Sequence, residues 1–132
     1  MKITILGAGN MGGAIACGLV ESGNINPENI TVIDHRGRNV DRLKEVSQKL
    51  NVVISDYTSM KTADVLIVAV KPWKVEEVLL ANKDMLTNPQ QLIVSVAAIV
   101  STEELKVYTS SSQPVFRVVP NTAISVRQSM TY

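Results

Sequence analysis

Residues 3–12 read Ile3-Thr4-Ile5-Leu6-Gly7-Ala8-Gly9-Asn10-Met11-Gly12. A short apolar run of strand length leads straight into a Gly-x-Gly-x-x-Gly turn, and a helix-period stretch follows at once. Elsewhere such a turn is a weak signal. Between a strand and a helix it has a physical reading: Gly7 permits the tight turn, Gly9 lets a pyrophosphate approach the backbone, and Gly12 lets the helix pack close on the strand. The helix N-terminus then offers free N–H groups and the positive end of its dipole to phosphate. This is the phosphate-binding turn of a Rossmann-type domain.

The rest of the chain agrees with that start. Ile3–Leu6, Ile30–Ile33, Val52–Ile54, Val65–Val70, Leu92–Val96 and Val115–Val119 are short and mostly β-branched. They read as strands buried on both faces, as in a parallel sheet. Helical patterns lie between them. Met11, Ile15, Cys17, Gly18 and Leu19 form one apolar face, with Ala14 and Ala16 allowing close approach. Val40, Leu43, Val46 and Leu50 form a second, whose other side carries Asp41, Arg42, Lys44, Glu45 and Lys49 to solvent. A third helix starts at Pro72 with Val75, Val78 and Leu79 as its stripe. Ser101-Thr102-Glu103-Glu104 fits a capping box for a fourth. Strands alternating with helices predict a doubly wound, mainly parallel α/β sheet with helices on both faces. Residues 1–132 form one domain in this reading, and Thr109–Pro114 is a loop within it.

Composition narrows the partners. The 132 residues carry thirteen Lys and Arg against twelve Asp and Glu, a net charge of +1 that gives no electrostatic reason to bind nucleic acid. No apolar run reaches the ~18 residues of a membrane span, and no signal peptide is evident, so the chain reads as cytoplasmic. A single cysteine, Cys17, excludes an intrachain disulfide, and with a single histidine it leaves no metal-ligand or triad spacing. Cys17 reads as a packing residue.

Asp34 lies 22 residues beyond Gly12, close to the about 20 at which such domains place a carboxylate on the adenosine ribose 2′-hydroxyl. That favours NADH. His35, Arg36 and Arg38 follow directly, and an arginine there suits the 2′-phosphate of NADPH. The residues leave the two cofactors open. His35 reads as a solvated loop residue. Trp73 is expected to cover the first turn of its helix, and Lys71 either meets cofactor or substrate or simply reaches solvent.

Four segments, in order, resemble the N-terminal domain of the pyrroline-5-carboxylate reductase family. They are Gly7 to Gly12, Val68-Ala69-Val70-Lys71-Pro72, Ser95-Val96-Ala97-Ala98 and Arg117-Val118-Val119-Pro120-Asn121-Thr122. The resemblance implies hydride transfer from NADPH or NADH to the C=N bond of 1-pyrroline-5-carboxylate, a small cyclic imine carboxylate, giving L-proline. It implies that Ala8, Asn10 and Met11 touch the pyrophosphate, Asp34, His35 and Arg36 the adenosine ribose, and Ala69, Val70, Lys71, Pro72 and Ala97 the nicotinamide side. Asn121 and Thr122 would lie near the substrate. The family's helical second domain, which forms a homo-oligomer and completes the substrate pocket, is expected beyond this chain. No catalytic acid is assigned here, and the proton would come from that domain or water. Ile99 stands where the family has glycine, Asp56 where Asn is frequent, Val119 for Met, Ala123 for Pro and Gln128-Ser129 for Glu-Gly. The competing expectations are a non-catalytic NAD(P)-binding domain and a reductase of the β-hydroxyacid dehydrogenase type.

Overall fold

A computed structural model describes residues 1–109 and 113–119. Six strands form one sheet: β1 (Ile3–Leu6), β2 (Ile30–Asp34), β3 (Asn51–Ile54), β4 (Val65–Val68), β5 (Leu92–Ser95) and β6 (Val115–Arg117). Their spatial order is β3-β2-β1-β4-β5-β6, and all five pairings are parallel. The chain winds outward from β1 in both directions, so the gap between β1 and β4 is the topological switch point where ligands of open α/β sheets bind.

Strand parity sends alternate side chains to two separate cores. Ile3 and Ile5 of β1, with Ile30 and Val32 of β2, pack with Ile15 and Ala16 of helix α1 (Asn10–Ser22) and Leu43 of α2 (Val40–Val46). Leu6, Ile33, Leu66, Val68 and Ile93 face the other way. They meet Val75 and Leu79 of α3 (Pro72–Ala81) and Leu105 of α4 (Thr102–Tyr108). One helix pair therefore covers each face. The crossover from β3 to β4 is a 3-10 turn, Thr58–Lys61, whose Met60 is buried with the α3 side.

Local signals account for the helix ends. Pro72 occupies the first turn of α3, where its missing N–H costs nothing. At α4 the capping box closes both ways: Ser101 Oγ accepts from Glu104 N at 3.1 Å, and Glu104 Oε1 accepts from Ser101 N at 3.4 Å. Among the described residues no helix is long and apolar enough to cross a membrane.

Three expectations need correction. β3 and β6 are the sheet edges and are less buried than the inner strands: Val52 and Val53 of β3 are only half-buried, one against each core, and Phe116 and Arg117 of β6 are exposed. Helix α2 stops at Val46, with Ser47 as C-cap. Leu50 lies beyond it in a turn, yet is fully buried, because the turn folds it under the sheet rather than along the helix stripe. Trp73 does not cover the first turn of α3 but stands 73% exposed. Ala69 and Val70 leave β4, and Ala69 N donates to Leu6 O at 2.8 Å, which holds the β1 and β4 exits together.

Candidate functional site

The loops after β1, β2, β4 and β5 surround a cavity of about 650 Å³ at the carboxyl edge of the sheet. That is the size range of a small-molecule or cofactor site. Gly7, Ala8, Gly9, Asn10 and Met11 line it from β1, and Asp34, His35 and Arg36 from β2. Ala69, Val70, Lys71 and Pro72 come from β4 and Ala97 from β5. The fold thus brings together every residue expected at a cofactor except Gly12, which lies beneath the turn. Arg38, Asn39, Tyr57, Lys74 and Glu77 also line it. Asn121 and Thr122 lie outside the described residues, as do Pro120, Ala123, Gln128 and Ser129.

Each glycine of the turn has its own reason. Gly7 adopts φ +112°, and a Cβ there would stand 2.8 Å from Ala69 O. A Cβ on Gly12 would collide with the Gly7 carbonyl oxygen, so the helix could not approach the turn. Gly9 is different: a Cβ there would meet nothing within 4 Å. Packing therefore does not require glycine at Gly9, and the open space over it is what a ligand's approach to the backbone would need. Gly9 is also the N-cap of α1 and has no side chain to cover the first-turn amides. Those amides and the helix dipole are left for an anion.

At the end of β2, Asp34 is only 5% exposed, and its Oδ2 accepts from Asn39 N at 2.8 Å. One carboxylate oxygen is thus spent on closing the 35–39 loop. His35, Arg36 and Arg38 of that loop are exposed at the cavity. His35 Nδ1 lies 3.3 Å from the Tyr57 hydroxyl, which brings the β3–β4 crossover against the same end. Ser55, just past β3, supports this loop, donating from Oγ to His35 O at 2.6 Å. Asp56 does not line the cavity. Its Oδ1 takes the Thr58 hydroxyl at 2.7 Å and amide at 3.1 Å, which hold its carboxyl below the usual carboxylate range.

Two non-glycine residues among those described adopt positive φ, Ser55 at +49° after β3 and Ile99 after β5. Ala98 and Ile99 form a turn in which Ile99 adopts φ +76° and is 83% exposed. A β-branched residue pays steric strain in that region of the map, so the replacement of glycine noted in the sequence falls where glycine's freedom is used.

Arg42 is exposed on the side of α2 opposite its apolar stripe, as helix spacing expects, and its Nη2 also donates to Ala8 O at 3.3 Å, a contact made by the tertiary approach of α2 to the glycine turn. Cys17 sits half-buried on α1, and burial, with Glu21 nearby, pushes its thiol up while Arg42 opposes this.

A sequence model of the family described as "NADP oxidoreductase coenzyme F420-dependent" matches residues 2–99. Curated relatives include pyrroline-5-carboxylate reductase 1 of Bacillus subtilis, 33% identical over 98% of this chain and 43% of the relative. The pyrroline-5-carboxylate reductase of Methanosarcina acetivorans is 33% identical over 96% of this chain and 46% of its own length. The chain spans less than half the length of these relatives. Among solved structures, a pyrroline-5-carboxylate reductase of Coxiella burnetii superposes with TM-score 0.86 at 30% identity, covering 98% of this chain and 47% of that one. A Plasmodium falciparum pyrroline carboxylate reductase with NADP bound gives TM-score 0.81 at 25% identity, over 98% and 45% respectively.

Proposed function

The chain belongs to the NADP oxidoreductase, coenzyme F420-dependent family, and from that premise we propose that it is the cofactor-binding half of a reductase that converts 1-pyrroline-5-carboxylate to L-proline. The observation that carries the reading is that the cavity at the switch point belongs to a chain similar to pyrroline-5-carboxylate reductases along 98% of its length. The open approach to Gly9 and the uncapped start of α1 fit a pyrophosphate.

NADPH is the preferred cofactor in this reading, and NADH the weaker one. One oxygen of Asp34 is already engaged with Asn39 N, whereas Arg36 and Arg38 are exposed at the cavity, where they can meet a 2′-phosphate. Ala8, Asn10 and Met11 orient the pyrophosphate, and His35 joins the arginines at the adenosine end. Val70, Lys71 and Ala97, with Ala69 and Pro72, hold the nicotinamide ring at the β4 and β5 exits. When bound, the reduced nicotinamide supplies hydride to the imine carbon. The protein's share is to fix the distance and orientation of ring and substrate. Asn121 and Thr122 belong to the substrate side, and a helical half following this chain completes the pocket, supplies the proton or admits a water, and forms the homo-oligomer. The protein is cytoplasmic in this reading.

The test is turnover by the full-length protein carrying this chain. NADPH oxidation should depend on 1-pyrroline-5-carboxylate and yield L-proline. Turnover of a β-hydroxyacid, or of neither substrate, would contradict the proposal.

A further inference from the structure

The glycine turn has few side chains of its own to hold it in place. Gly7 and Gly9 carry no side chain, and the turn's backbone is tied down by Gly7 N to Ile33 O at 3.1 Å and Gly13 N to Gly9 O at 2.8 Å. A third tie comes from a distant element, Arg42 of α2, whose guanidinium reaches the carbonyl of the buried Ala8 across 34 residues of sequence. The space for that guanidinium is Gly13: a Cβ there would stand 3.0 Å from Arg42 Nη2, and no other group lies closer than 3.8 Å. In the same first turn, Asn39 is the N-cap of α2, and its amide is held by Asp34 in the adenosine loop.

We propose that Arg42 is a positioning residue for the phosphate turn, gripping the Ala8 carbonyl so that the turn's amides are preset for a pyrophosphate and the phosphate and adenosine subsites move as one unit through α2. The proposal rests on the dinucleotide reading of the cavity. It differs from a 2′-phosphate contact in a measurable way. Arg42 acts on the part common to NADPH and NADH, so its loss weakens both equally, whereas Arg36 and Arg38 act on what distinguishes them. Lysine at this position keeps the charge but not the planar fork, and restores part of the effect.

Calorimetric titration of the chain with NADPH and with NADH tests this on three variants: Arg42→Met, Arg42→Lys and Gly13→Ala. Arg42→Met should weaken both cofactors about tenfold, the scale of one lost charge-assisted hydrogen bond, with their ratio unchanged; Arg42→Lys should fall between it and wild type. A Cβ at Gly13 would stand 3.0 Å from Arg42 Nη2 and press the guanidinium off its contact with Ala8 by a few tenths of an ångström, while Gly13→Ala improves helix propensity. It should therefore unfold no lower than wild type, yet lose affinity for both cofactors, an opposition that a purely structural role would not produce. Combined with Arg42→Met it should add nothing further, because both changes remove the same contact. Wild-type affinity in Arg42→Met or Gly13→Ala would overturn the proposal, and so would a loss confined to NADPH. If the wild-type chain bound neither cofactor, the dinucleotide reading would fall first and this proposal with it.

Discussion

At Ile99 an exposed, β-branched side chain is held at φ +76°, with 83% of its surface in solvent. Little burial would be lost on removing it, while the steric cost of the left-handed conformation, about 1–2 kcal/mol, would be relieved. Ile99→Gly is therefore expected to stabilise the chain by about 1 kcal/mol after glycine's own entropy is charged, read as a higher midpoint in urea. The two inner glycines of the turn should respond in opposite ways. Gly12→Ala drives a Cβ into the Gly7 carbonyl and should unfold or severely destabilise the chain. Gly9→Ala meets no protein atom within 4 Å, so circular dichroism and melting should match wild type. Its NADPH affinity should nonetheless drop by roughly tenfold or more, since a methyl group would fill the ligand's approach to the backbone. Equal NADPH affinity in Gly9→Ala would argue that no phosphate passes over that residue.

The elements were legible where local chemistry decides them. The start of α4 is written in Ser101 and Glu104, and both halves of the capping box form. Ser101→Ala should accordingly cost about 1 kcal/mol, measured by denaturant titration, without altering cofactor affinity because α4 does not line the cavity. The inner strands were equally plain, since neighbours on both sides and helices on both faces demand an unbroken apolar run. The edges were harder. β3 and β6 share the apolar composition of the inner strands but lack a second neighbour, and nothing in Asn51–Ile54 or Val115–Arg117 announces that. The end of α2 was hidden for another reason: Leu50 keeps the helical phase of Leu43 and Val46 while being buried through a turn.

For the molecule as a whole, the glycine turn and the alternation of elements together specify the winding, and the winding alone gathers the loops after β1, β2, β4 and β5 around one cavity. What sequence could not disclose are contacts between groups far apart in the chain. One oxygen of Asp34 takes the Asn39 amide while the residue still lines the cavity, and the exposed Arg42 also reaches the Ala8 carbonyl. Gln91 carries no motif, yet it is fully buried, donating to Met60 O at 2.7 Å and Ala63 O at 2.9 Å and accepting from Gln113 at 2.9 Å. This network stitches the crossover to β5 beneath the sheet, where unpaired carbonyls would be costly. The central claim is that the cavity is a dinucleotide site favouring NADPH, and titrating the chain with NADPH and NADH by calorimetry tests it most directly. The account predicts binding of both, with NADPH tighter by roughly tenfold or more, as expected of a charge-assisted contact from Arg36 or Arg38 to the 2′-phosphate. Tighter binding of NADH would return the ribose to Asp34, and binding of neither would contradict the account outright.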